Sequence, residues 1–350
     1  MKKVLLGMSG GVDSSVSALL LKQAGYEVYG VTMKLWEEGG CCNLSATMDA
    51  VKVCKQLGIQ HYTLNYEKLF YEKVVNNFID CYSNCLTPNP CIECNKYLKF
   101  GAMYEKAKEL GIDFIATGHY AKTEYSDIYG RQILKKSKNI KKDQSYVLYN
   151  MPKDMIGKIL FPLGDFEDKE QVREIARANK LATASKHDSE DICFIPDGNY
   201  KKFLEKNSAL KQKEGNIVTS NGEILGKHKG LYYFTIGQRK GLGISYKEPL
   251  FVIGFNKKQN EVIVGTKNEI YKKEILVKDI NLLLIDDIKQ SMTVNVKTRY
   301  SAKEAEATIE KIDKNTIKVV FSKPQPRVTP GQSAVFYVDD IVLGGGKIFS

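Results

Sequence analysis

The sequence predicts an α/β fold in which a domain built on a helix-covered parallel sheet is followed by two small, barrel-like β domains. Three observations predict it. From residue 1 to about 200, short apolar stretches alternate with amphipathic ones in a βαβα rhythm, with glycines closing several of the helical stretches. Beyond about residue 200 the helical periodicity fades into short alternating segments between Gly and Asn turns. The chain has 350 residues, enough for two or three domains, and its 43% hydrophobic residues supply a sizeable core. The expected boundaries are 1–200, 201–268 and 269–350.

In the first domain, Val4–Met8 reads as a strand and Ser14–Ala24 as a helix ended by Gly25. Val28–Met33 is the next strand, Ala46–Leu57 a helix stopped by Gly58, and His61–Leu64 a further strand. Phe70–Cys81 and Lys96–Leu110 are helical, the second closed by Gly111, and Phe114–Thr117 is a buried strand leading into Gly118. In the second half, Leu231–Thr235, Leu250–Phe255, Glu261–Gly265, Thr293–Thr298, Glu306–Ile312, Thr316–Phe321 and Ser333–Val338 read as strands. No internal repeat and no low-complexity linker interrupts them.

The formal net charge is +11, from 52 Lys and Arg against 41 Asp and Glu, which favours a polyanionic partner such as nucleic acid. The lysine excess is spread along the chain, so charge by itself also fits a merely solvated surface. Lys2 and Lys3 precede an apolar stretch too short for a signal peptide, and no apolar run approaches the roughly 20 residues of a membrane span. Eight cysteines without a secretory signal read as working thiols in a cytoplasmic protein.

The most specific feature is Gly7-Met8-Ser9-Gly10-Gly11-Val12-Asp13-Ser14-Ser15, between the first strand and the first helix. Glycines let backbone amides turn inward, the helix N-terminus adds its dipole, and three serines offer hydroxyls, a combination suited to phosphate. Asp13 is at odds with an anion site unless it positions a metal or caps the helix. The lysine of a Walker A loop is missing. An ordinary tight turn would need neither the glycine pair nor the serines.

Two segments suit sulfur chemistry. Thr87-Pro-Asn-Pro-Cys-Ile-Glu-Cys-Asn-Lys96 reads as a Pro-stiffened loop bringing Cys94 near a helix N-terminus, where a thiol gains thiolate character. Cys193 lies in a second loop-like stretch, Ser185–Phe194. Carrying a sulfur atom takes two thiols, one to hold it and one to resolve the bond. Of the others, Cys54 reads as core on an amphipathic helix and Cys41 and Cys42 as surface or partner-facing. Cys81, Cys85, Cys91 and Cys94 are close enough in sequence for a structural zinc, although their spacing is irregular.

The segment SGGVDSS resembles the PP-loop of ATP pyrophosphatases, Rossmann-like domains that split ATP to AMP and pyrophosphate while adenylating a substrate. With TPNPCIECNK, ATGHYA, KKDQSY, DICFI, FTIGQRKGLG and TPGQSAVFY in that order, essentially the whole chain resembles the bacterial and organellar tRNA-specific 2-thiouridylase family. The resemblance implies that Gly7, Met8, Ser9, Gly10, Gly11, Val12, Asp13 and Ser14 hold ATP with Mg2+, and that Met33 and Gly118 line the nucleoside. It implies that Cys193 accepts persulfide sulfur from a sulfur-relay or cysteine desulfurase protein and that Cys94 is its disulfide-forming partner. Adenylation of O2 of the wobble uridine would then make a leaving group for sulfur to displace. Residues implied to face tRNA are Asn89, Pro90, Cys91, His119, Lys142, Asp143, Gln144, Arg299, Tyr300 and Gln332. Lys135, Lys136, Lys138 and Lys141 would extend Lys142 into a phosphate track, and Arg299 with Tyr300 pairs a guanidinium with a stacking ring. His119, a lone histidine after a strand, equally fits a satisfied core residue.

Cys91 stands where members often carry an aspartate, which removes a carboxylate and creates Cys91-x-x-Cys94. With Cys193 these could instead ligate a [4Fe–4S] cluster, as in related thiolation enzymes. Other readings are a PP-loop synthetase that adenylates an acid for amination, a thiolase of another tRNA base, and a non-catalytic RNA-binding adaptor.

Overall fold

The computed structural model describes residues 1–36, 44–186, 192–208, 210 and 212–350. Cys41 and Cys42 lie outside them. The first domain is built on a five-stranded sheet from β1 (Lys3–Gly7), β2 (Glu27–Lys34), β3 (Gln60–Asn65), β4 (Phe114–Ala116) and β7 (Ile159–Leu160). Its order is β3-β2-β1-β4-β7, and every pairing is parallel. Val4, Leu5 and Leu6 of central β1 are fully buried, as a strand covered on both faces requires. Helices Val12–Gln23 and Leu44–Leu57 connect β1 to β2 and precede β3.

The helix expected over Phe70–Cys81 runs from Glu67 to Ser83 with a π-helical turn at Tyr71–Val75. The stretch expected as a loop around Cys94 is already helix from Pro90, followed by π-helix over Asn95–Ala102 and α-helix over Met103–Glu109. The Asn89 side chain caps it by accepting from Cys91 N, and Pro90, which has no amide to donate, fits the first turn.

An unexpected hairpin, β5 (Ala121–Ser126) and β6 (Arg131–Lys136), leaves the first domain and joins the C-terminal sheet through Ile341 and Lys135. Between the two larger units lies a four-stranded sheet of β8 (Gly215–Thr219), β9 (Ile224–His228), β10 (Phe251–Asn256) and β11 (Glu261–Gly265). Leu231–Thr235 is not a strand: Leu231–Tyr233 is a 3-10 turn, and Tyr232 and Tyr233 stack on each other. The last unit comprises β12 (Tyr271–Leu282), β13 (Met292–Lys297), β14 (Ala305–Asp313), β15 (Thr316–Pro326), β16 (Ser333–Val338) and β17 (Ile341–Ile348). Pairing of β12 with both β15 and β17 closes these strands into a barrel. Among the described residues no helix is long and apolar enough to cross a membrane.

The barrel is clasped to the helix bearing Cys94. Thr87 N donates to Pro330 O at 2.9 Å, and Gln332 Nε2 donates to Thr87 O at 3.0 Å and Pro88 O at 3.2 Å. Lys347 Nζ reaches the buried Glu93 carboxylate at 2.9 Å. Gly331 makes the close approach possible: its φ is +92°, and a Cβ there would lie 2.7 Å from Thr87 N. Gly331→Ala is therefore expected to cost about 1–3 kcal/mol. Denaturant unfolding checks this, and an unchanged midpoint would show that the clasp carries no strain.

Candidate active site

The glycine loop crosses from the carboxyl end of β1 into the helix Val12–Gln23. Gly10 has φ +69°, and a Cβ there would sit 2.1 Å from Ala46 O, so only glycine fits. The side chains of Met8 and Val12 are buried in the core, and the Met8 amide donates to Val31 O at 2.8 Å, which fixes the start of the loop against β2. Ser9 is exposed, and its amide and hydroxyl each lie 3.3 Å from Ser14 Oγ. Ser14 and Ser15 hydroxyls donate back to Gly11 O at 3.1 and 2.8 Å, fixing the first helical turn. The opening amides of a helix lack intrahelical acceptors, so the loop ends in donors with a favourable dipole.

Gly118 lies against this helix end: a Cβ there would meet Ser14 N at 2.9 Å and the Asp13 carbonyl carbon at 3.0 Å. Met33, buried near the carboxyl end of β2, neighbours Thr32, whose hydroxyl donates to Met8 O at 2.9 Å.

Asp13 does not cap its helix. Its carboxylate accepts from Lys169 Nζ at 2.6 Å on both oxygens and from the Tyr120 hydroxyl at 3.0 Å. Lys186 also reaches the loop, donating to Gly10 O at 2.9 Å while pairing with Asp49. Sequence reading missed both lysines. Lys169 opens the helix Lys169–Ala178 behind a capping box at Asp168 and Gln171, a helix start with no phosphate signature.

Cys94 is buried in the largest apolar core, and Cys193 packs against that same core. Phe194 makes edge contacts with Phe70, Phe78 and Trp36 at 5.6, 5.4 and 6.3 Å between ring centroids. Trp36 follows closely on the carboxyl end of β2, so the Cys193 segment is tied to the end of the sheet that carries the glycine loop. Cys91 is exposed. Cys54 is core, with burial pushing its thiol up to about 11, and desolvation also raises Cys81 and Cys85. Among the described residues no three His, Cys, Asp or Glu side chains group as a metal site. The three thiols considered for an iron–sulfur cluster, and the four considered for zinc, therefore do not fit a metal centre here, and no step is derived through one.

Of the remaining residues implied to face tRNA, Asn89, Pro90, Gln332 and Tyr300 lie at the seam between the first domain and the barrel. Asn89 caps the Cys91 turn, Pro90 is buried, and Gln332 is engaged with Thr87 and Pro88 beside them. Tyr300 is 44% exposed, its ring 6.2 Å from Tyr146. Burial, then Asp143, then Cys91 raise its hydroxyl pKa, which brings these three side chains into one neighbourhood. Lys297 Nζ lies 5.4 Å from the Tyr300 ring and 5.9 Å from the Tyr146 ring, a cation–π contact that sequence reading overlooked. Arg299 has its Nε buried with no hydrogen-bond acceptor, and desolvation with nearby Arg327 lowers its pKa.

Asp143 is internal. It accepts from Ser137 N at 3.0 Å and from Ser145 Oγ at 2.7 Å, and burial raises its pKa. Lys142 is half-buried beside it, its amide donating to Asn139 O at 3.1 Å. Gln144 Oε1 accepts from Tyr120 N at 2.9 Å. The lysine run before them is not an open row. Lys135 pairs with Glu124 and Asp340, Lys136 with Glu304, and Lys138 with Asp165. His119 is buried, with Thr117 Oγ1 2.7 Å from Nδ1 and Lys99 Nζ 3.4 Å from Nε2. Lysine donation to Nε2 makes the ring neutral, with Nδ1–H donating to Thr117.

A glycine loop at a strand–helix junction on the carboxyl side of a parallel sheet, with a second glycine against the helix end, defines a PP-loop ATP-pyrophosphatase type of enzyme. Residues 2–197 match the model of a tRNA methyl transferase HUP domain, 201–266 a tRNA methyl transferase PRC-barrel domain, and 272–348 an aminomethyltransferase beta-barrel domain. The chain is 50% identical over 354 residues to the tRNA-specific 2-thiouridylase MnmA of Clostridioides difficile (strain 630), covering 99% of this chain and 98% of that one. It is 49% identical over 357 residues to the protein of the same name from Clostridium beijerinckii, covering 100% and 99%. The chain belongs to the tRNA-specific 2-thiouridylase family.

Burial lowers the pKa of His61, His119 and His228 below the ordinary 6.5. A histidine held neutral in the fold contributes stability that is present above its unfolded pKa and lost as pH falls below it. Unfolding midpoints are therefore expected to fall between about pH 7.5 and about pH 5.5, with His119→Gln flattening the slope. A wild-type midpoint independent of pH across that window would contradict it.

Proposed function

We propose that this chain uses ATP to 2-thiolate the wobble uridine of tRNA, with the phosphate loop adenylating O2 and the thiol pair delivering sulfur. The observation that carries the reading is the contact of Trp36 with Phe194, which ties the residue after Cys193 to the sheet end bearing the phosphate loop. Methyl transfer, the description carried by two of the matching models, requires neither a polyphosphate loop nor a pair of thiols. An acid-adenylating synthetase or an RNA-binding adaptor would likewise have no use for the thiols.

The chemistry divides between the two groups. A uracil carbonyl oxygen is a poor leaving group, and attack of O2 on the α-phosphate expels pyrophosphate and converts it to an AMP ester. The terminal sulfur of a Cys193 persulfide then attacks C2, and AMP departs with the former O2. Cys94 thiolate attacks Cys193 Sγ, the S–S bond breaks toward the sulfur now on C2, and a Cys94–Cys193 disulfide remains. A dithiol reductant returns it to two thiols. The persulfide comes from a sulfur-relay or cysteine desulfurase protein, and the need for reduced thiols suits the cytoplasm.

Asp13, a carboxylate at the loop, has the chemistry of a Mg2+ ligand, since that ion is commonly bound by one or two carboxylates together with substrate phosphates. The ion, held there, would supply charge neutralisation on the polyphosphate. Asn89, Pro90, Cys91, Arg299 and Tyr300 would surround the extruded nucleotide, with the exposed Tyr300 ring offering a stacking face. The bases and backbone nearby would meet Lys142 and the turns held by Asp143, Gln144 and Gln332.

Cys193→Ser is expected to reduce thiolation to background while tRNA-dependent AMP formation persists, because the thiol acts only after adenylation. Parallel assays of AMP release and of thiolated nucleoside by mass spectrometry check this. Equal loss of both activities in a folded variant would remove the two-stage reading.

A further inference from the structure

The phosphate loop contains no lysine, yet two lysines from the far end of the domain converge on it. Lys169 Nζ lies 2.6 Å from both Asp13 oxygens, with its side chain only 11% exposed. It also sits 5.6 Å from the Tyr120 ring centroid, and the Tyr120 hydroxyl donates to the same carboxylate. Lys186 Nζ approaches from another side, 2.9 Å from Gly10 O and 2.9 Å from Asp49 Oδ2.

The segment between them is fastened to the loop helix. Thr183 Oγ1 donates to Ser15 Oγ at 2.8 Å, and Val172, Ala176 and Leu181 pack with Val12, Val16 and Tyr120. These contacts fasten the backbone that carries the lysines to the loop helix. A carboxylate at the mouth of an anion site repels a polyphosphate at close range unless a cation offsets it. Lys169 supplies that cation. Its ammonium has three donors, so it can exchange a carboxylate oxygen for a phosphate oxygen with a small movement of a flexible stem.

We propose that Lys169 and Lys186 form a two-lysine clamp on the pyrophosphate portion of ATP, with Lys169 passing from Asp13 to phosphate when the nucleotide binds. The proposal rests on the ATP-binding reading of the loop. The clamp replaces the lysine that a Walker A loop carries within its own motif, and it would stabilise pyrophosphate as the leaving group of adenylation.

Calorimetric titration of the full-length protein with inorganic pyrophosphate and with ATP tests it, using wild type, Lys169→Met, Lys186→Met and the double variant Asp13→Asn/Lys169→Met. Each methionine variant is expected to weaken pyrophosphate binding by about tenfold or more while tRNA affinity stays at the wild-type value. The double variant, which leaves no carboxylate stranded, is expected to remain weak, because the lost contact is to phosphate. Wild-type pyrophosphate affinity in Lys169→Met overturns the clamp. Wild-type affinity in the double variant overturns it too, since Lys169 would then only neutralise Asp13. Wild-type protein that binds neither pyrophosphate nor ATP overturns the nucleotide reading itself.

Discussion

The structure depends on the close packing of backbone Thr117–Ala121 against the first turn of the loop helix. Gly118 touches Ser14 N and the Asp13 carbonyl carbon, a distance that no Cβ could share. That approach sets the Tyr120 hydroxyl on Asp13 and presents the Tyr120 amide to Gln144. Gln144 is joined to Asp143, and Asp143 influences Tyr300 on the barrel. Two hydrogen bonds thus link the phosphate loop through Tyr120 to Gln144, and its neighbour in the chain, Asp143, acts electrostatically on Tyr300 at the seam.

The seam is held by a second set of contacts with different chemistry. The clasp of Gln332, Thr87 and Pro330 joins two backbones, and the Lys347–Glu93 pair places a buried charge beside Cys94. Burying a carboxylate without a partner is costly, so Lys347 of the barrel offsets the burial of Glu93 in the first domain. The hairpin β5–β6 adds strand pairing between the same two units. The first domain and the barrel are thereby joined at the helix that carries Cys94 and at the hairpin. This is the arrangement expected of an enzyme that must hold a base and a nucleotide at once.

Several side chains that resemblance directs toward tRNA have internal partners. Gln332, Gln144, Asp143 and His119 each make hydrogen bonds within the chain. Such side chains fix the turns around them. Tyr300 and Cys91, in contrast, are exposed, and Arg299 keeps a buried Nε without an acceptor. Their neighbourhood combines a stacking face, a cation and a thiol.

The sequence by itself determined the parallel α/β domain, the glycine loop Gly7–Ser15 at its strand–helix junction and the β character of the second half. Those features depend on local periodicity and on glycine and proline stereochemistry, which are written in consecutive residues. It named no strand after Val338, where Gly344, Gly345 and Gly346 interrupt the apolar pattern of β17. In the barrel they are strand, since a Cβ at Gly345 would meet Ala334 O at 2.5 Å and the Tyr149 ring at 2.9 Å. It also left Lys169 and Lys186 unnoticed, made the start of the Cys94 helix a loop, and read Lys135 and Lys136 as a free cationic row. Only the tertiary structure decided these points. Which charges are paired, and which backbones approach too closely for a side chain, depends on contacts between separate elements, such as Lys169 with Asp13 and Lys136 with Glu304, and no local pattern encodes them.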